Sequence, residues 1–126
     1  MEKFSPEQFE KRSGQAQVET DLRKYLRSVP VLERIDFINR LWPLNYVFAV
    51  SLARSSQIPQ QELAELLNDW LAQNKHNTVK VLIEEFEPLL GENRFWKIAT
   101  ECELSTTMVE FLNYHGKGKL SLHQNG

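Results

Sequence analysis

PQQELAELLNDWLAQNKHNTVKVLIEEFEPLLG, residues 59–91, holds the plainest structural signal in the chain. Leu63, Leu66, Leu67, Trp70 and Leu71 recur at the spacing of one helical face, and Pro59 is suited to open the helix that carries them. After a polar break at Asn74-Lys75, the stripe resumes as Val79, Leu82, Ile83, Phe86 and Leu90. The two stripes match position for position, Leu63 with Val79 through Trp70 with Phe86. A short loop between matched stripes predicts an antiparallel helical hairpin. Pro88 should disturb its last turn, because proline cannot donate the backbone hydrogen bond. Gly91 should close it.

Towards the N-terminus, proline marks further helix starts. Ser5-Pro6 reads as a cap followed by a first helical residue. Val18, Leu22, Tyr25, Leu26 and Val29 predict a helix over residues 15–29, with Asp21, Arg23, Lys24 and Arg27 on its polar side. Pro30 opens the next, whose expected buried stripe is Leu32, Ile35, Ile38 and Leu41, with Glu33, Arg34, Asp36 and Arg40 in water. Pro43 restarts the chain. Residues 44–54 are apolar on nearly all sides, as in a central helix around which others pack.

Towards the C-terminus, Phe95, Trp96, Ala99 and Cys102 predict a helix over residues 92–102. Ser105 is a cap for another ending near Tyr114. The segment HGKGKLSLHQNG, residues 115–126, reads as a tail or a small β-ribbon. The expected fold is therefore an all-α bundle of six or seven helices. Residues 1–115 form one domain, and residues 116–126 a flexible tail or wing-like hairpin.

Composition bounds the function. The chain has 126 residues, 41% of them apolar and 25% charged, enough for a sizeable core. Its net charge of −2 argues against broad, charge-driven binding to nucleic acid or an anionic membrane. Residues 1–54 carry nine basic and seven acidic side chains, and residues 55–126 six and ten. The start of the chain has no apolar stretch of a signal peptide, and no run reaches membrane-spanning length. With a single cysteine, Cys102, stability should come from packing, and a reducing cytoplasmic setting is the expectation.

No catalytic, metal or cofactor signature is assembled along the chain. His76, His115 and His123 share no ligand spacing. Cys102 lies between Glu101 and Glu103, whose charge disfavours a thiolate. There is no phosphate-binding glycine loop and no nucleophile elbow. An enzyme would need a pocket made by folding, with Tyr25, Tyr46, Glu84 or His115 as contributors.

Three features remain as candidates for binding. Glu84, Glu85 and Glu87 form an acidic ridge, read either as a solvated face or as a contact surface for a basic partner. Phe37 and Trp42 fall off the expected stripe of their helix, where exposed aromatics would anchor a protein partner or a second copy of the chain. Finally, residues 98–119 resemble a helix-turn-helix corner. In that alternative Thr106 and Thr107 would lie in a DNA groove, and Lys117 and Lys119 would belong to a wing. The candidate recognition helix carries no Lys or Arg, so its pull on phosphate is weak. The expected function is a non-catalytic helical interaction protein acting as adaptor, regulator or assembly factor. A DNA-binding regulator is the alternative.

Overall fold

In the computed structural model, residues 16–125 are described; the Ser5-Pro6 cap lies outside them. They form eight α-helices and one 3-10 turn, with no strand among the described residues. The chain falls into two compact units, one through Ile58 and the other from Pro59 onward.

The first unit contains α1 (Ala16–Ser28), α2 (Val31–Leu41) and α3 (Tyr46–Ser55). Val18, Leu22 and Leu26 bury one row of α1. Pro30 starts α2 through its carbonyl, which accepts from the Glu33 and Arg34 amides at 3.0 and 3.1 Å. Asn45, rather than Pro43, caps α3, its side-chain oxygen accepting from the Phe48 amide at 3.1 Å. The buried face of α3 is Ala49, Val50, Leu52 and Ala53. Leu44 and Val47 are exposed, so the segment 44–54 is not buried all round as expected. Arg23 lies 5.1 Å over the Phe48 ring and donates to Ser51 Oγ at 3.2 Å, giving the other side of α3 a cationic cover.

Arg34, expected in water, instead ties the unit together. It donates to the carbonyls of Val29 at 2.8 Å, Ser56 at 3.0 Å and Arg27 at 3.2 Å. These carbonyls lie at the C-terminal ends of α1 and α3, where helices leave acceptors without intrahelical partners and favour a cation.

The second unit contains α4 (Gln60–Ala72), the 3-10 turn His76–Thr78, α5 (Val79–Leu90), α6 (Glu92–Glu101), α7 (Thr106–His115) and α8 (Lys119–Asn125). All five apolar residues expected in each stripe of the hairpin are buried. Gln60 Nε2 donates to the Leu89 carbonyl at 3.0 Å, which brings the start of α4 to the end of α5 and makes the pair antiparallel. The matched positions Trp70 and Phe86 meet edge to face, 5.8 Å between ring centroids. Pro88 lies inside α5, which continues to Leu90. Gly91, at φ 93°, closes it and starts α6.

Asn74 fastens this hairpin to the entrance of α7. Its side-chain nitrogen donates to the Glu103 carbonyl at 3.3 Å, and its oxygen accepts from the Ser105 amide at 2.8 Å. Helix α6 packs on α4, α5 and α8, whereas α7 packs on α5 and α8.

The expected tail or β-ribbon is instead a turn leading into α8. Gly116 sits so close to Trp96 that a Cβ there would overlap the indole ring. Lys117 and Gly118, at φ 54° and 81°, then reverse the chain. Leu120 is fully buried as a result, and Asn113 Oδ1 accepts from the Ser121 amide at 3.1 Å. An apolar residue and a side-chain cap, both supplied by tertiary structure, make a helix where composition suggested a ribbon.

Candidate functional site

The outer surface of the first unit carries the site. At about 100° per residue, the side chains of α2 divide into two faces. Phe37, Ile38 and Leu41 are buried. Leu32, Glu33, Asp36, Asn39 and Arg40 are exposed, as are Pro43 and Leu44 in the turn after α2 and Val47 on α3. Leu32 is 77% exposed, Val47 54% and Leu44 44%. Three large aliphatic side chains on one small helical unit are a marked departure from an otherwise polar surface.

Beside this face, between α1 and α2, runs an open groove of about 380 Å³. Tyr25, Val29, Leu32 and Phe37 supply its apolar lining, while Glu33, Asp36 and Arg40 supply its charged edge. Asp36 and Arg40 face each other across one helical turn at 4.0 Å. The groove suits an apolar side chain flanked by charge.

Two of the sequence-based anchors need correction. Phe37 and Trp42 are not exposed aromatics: they are 6% and 2% exposed. Phe37 still reaches the groove as part of its lining, whereas Trp42 packs edge to face on Tyr46 at 6.0 Å. The true exposed residues, Leu32 and Leu44, are ones that the sequence pattern places in the interior.

The acidic ridge is also divided. Glu84 is exposed and lies 4.0 Å from Lys80, and Glu85 is half-buried. Glu87 turns inward, against the expectation of an outer ridge. It accepts a hydrogen bond from Trp96 Nε1 and lies 3.2 Å from Lys119 Nζ. Glu92 approaches the same ammonium at 3.7 Å. Glu87 therefore joins α5 to α6 and α8.

At the helix-turn-helix-like corner, Ser105 caps α7 by accepting from the Met108 amide at 3.1 Å. Thr106, Thr107 and Lys117 are exposed, and Ala99 is buried. Lys119 is held by its two carboxylates and is not presented to a ligand as a wing lysine would be.

Other chemistry-bearing groups are divided between the two units. Tyr25 and Tyr46 belong to the first unit, and Glu84 and His115 to the second. His115 stacks against Phe111 and Tyr114, and His76 lies 4.7 Å from the Phe111 ring. Among the described residues, no group of three or more His, Cys, Asp or Glu is arranged to hold a metal ion. Burial, with the charges of Glu101 and Asp69, pushes the Cys102 thiol above its ordinary range. Its sulfur lies 3.2 Å from Asn68 Oδ1. No described helix is long and apolar enough to cross a membrane.

No protein-family model matches the chain, and comparison with curated proteins and with solved structures gives no match either.

Proposed function

We propose that this chain is a non-catalytic helical interaction protein, an adaptor, regulator or assembly factor, that binds a protein partner through the outer face of α2 and the groove beside it. The observation that carries this reading is the exposure of Leu32 at a groove that it lines with Tyr25, Val29 and Phe37; Leu44 and Val47 are also exposed on the same unit. Exposed aliphatic side chains cost solubility unless a partner covers them, and one set beside an open groove offers a partner both a contact and a recess. A reducing cytoplasmic setting suits a chain whose single thiol is held protonated.

The test is affinity capture from the native host with the wild-type chain and with Leu32→Asp. A partner retained by the first and lost by the second supports the reading. Equal retention by both, or none by either, overturns it.

A second reading, DNA binding through residues 98–119, draws on the capped N-terminus of α7 with Thr106 and Thr107 exposed. It is tested by titrating duplex DNA at low salt, where phosphate attraction is strongest. No binding there ends it, as does binding that Lys117→Glu leaves unchanged.

A further inference from the structure

We infer that α8 is a releasable latch, held shut by the charge of Lys119. It opens at Lys117–Gly118 as a unit and unwinds as it leaves, while the rest of the second unit stays folded. The device lies in the second unit and is independent of the face of α2.

Little of α8 is committed to the core. From Lys119 to His123, Leu120 alone is buried, and Leu122 is 70% exposed. Helix α5, by contrast, buries five side chains. The seven residues of α8 are also too few to stay helical in water by themselves, since isolated helices shorter than about 12–15 residues are marginal. α8 is therefore helical because it is docked, and winding and docking occur together.

The chain before it is suited to turn. Lys117 holds φ 54° without being glycine, a cost that opening relieves, and Gly118 at φ 81° moves freely between conformations. The Gly116 amide donates to the Leu112 carbonyl at 2.9 Å, which ends α7 ahead of the hinge and leaves that helix whole when α8 departs.

What else holds α8 is polar. Asn113 Oδ1, on α7, accepts from the Ser121 amide and hydroxyl, both at 3.1 Å. Lys119 Nζ lies 3.2 Å from Glu87 and 3.7 Å from Glu92. A cation in the first turn opposes the helix dipole. Lys119 thus disfavours α8 by itself and stabilises it only against the carboxylates of α5 and α6. All three charged side chains are partly exposed, so salt weakens the hold.

The latch covers a defined side of α6. Glu92 meets Lys119, and Asn93, Lys97 and Thr100 share a groove with Leu122 and His123. These α6 positions fall on one side of the helix, and the fully buried Trp96 lies among them. Opening removes one wall of the groove and withdraws Leu120, which presents an apolar surface that the closed state conceals.

Native-state hydrogen exchange on the full chain tests this, with amides in the middle of α5 as the control for folding. In the wild type the Leu122 amide, bonded to the Gly118 carbonyl at 3.1 Å, should exchange at least about 100-fold faster than α5. Lys119→Glu should raise the Leu122 rate about tenfold and leave α5 unchanged, because two attractions become two repulsions. Lys119→Gln should give a smaller rise in the same direction. With 5-fluorotryptophan, the Trp96 resonance should move in Lys119→Glu and that of Trp70 should not. A Leu122 rate equal to that of α5 overturns the latch, as does a rise that α5 shares, since both describe one cooperative body. A Leu122 amide that exchanges fast but is indifferent to Lys119 describes plain fraying and overturns it too, as does a Trp96 resonance that stays in place.

Discussion

Replacing Arg34 with methionine should destabilise the first unit by about 3 kcal/mol. The guanidinium donates to the carbonyls of Val29, Ser56 and Arg27 at 2.8, 3.0 and 3.2 Å, and to that of Gln57 at a longer 3.4 Å that adds little. A net intramolecular hydrogen bond contributes about 1 kcal/mol, and more when the donor is charged. Arg34 is only half-buried, so water can replace part of what is lost, and the lower value applies. Methionine keeps most of the aliphatic stem, which isolates the loss of the polar head. Arg34→Lys should fall between the two, because a single ammonium cannot span acceptors at the ends of both α1 and α3. Urea unfolding monitored by the fluorine resonances of 5-fluorotryptophan separates the units: Trp42 reports the first, Trp70 and Trp96 the second. The Trp42 transition should shift, and the other two should stay. A methionine variant within about 0.5 kcal/mol of wild type would refute the assignment, as would a lysine variant that restores stability fully.

Gly116→Ala should lower stability by about 1–3 kcal/mol through overlap with the Trp96 ring. The penalty should shrink in a Trp96→Phe background, and thermal melts of the four chains measure the difference. A double-mutant cycle between Glu87 and Lys119 should give a coupling of about 0.5–1 kcal/mol, reduced by added salt, since both groups are partly exposed; coupling indistinguishable from zero would remove the proposed staple. The Cys102 thiol is raised, so the thiolate should be scarce at neutral pH and alkylation by iodoacetamide should accelerate only above the usual thiol range. Glu101→Gln removes one of the causes and should move that rise to lower pH; a rate that already levels off near neutrality would contradict it.

The hairpin of α4 and α5 is legible in the sequence because its apolar residues alternate three- and four-residue steps, which keeps them on one face. The stripe expected for α2 uses three-residue steps alone, from Leu32 to Leu41. Each such step slips about 60° around a helix, so its two ends lie half a circumference apart. Only one end can be buried, and packing against α1 and α3 selects the Leu41 end. That rotation carries Phe37 inside and Leu32 outside, the reverse of what the sequence pattern suggests for both residues. Arg34 and Glu87 are misplaced for a different reason. Local patterning classes charged residues as wet, and their partners are carbonyls and side chains on other helices. Among the residues of the α8 segment, Leu120 carries too slight a local signal to reveal a helix that exists through its packing.

The Glu87–Lys119 pair also bears on the order in which the chain is made. These residues are separated by 32 positions. At about 5–20 residues per second, the ribosome reaches Lys119 roughly 2–6 s after Glu87. During that interval α5 carries a carboxylate that must stay hydrated while the apolar side of the same helix seeks cover. The first unit has no comparable wait for its Arg34 anchor: the acceptors Arg27, Val29, Ser56 and Gln57 have all been synthesised within two residues of the end of α3. The nascent chain can therefore finish its first unit early, and the second waits for its closing lysine.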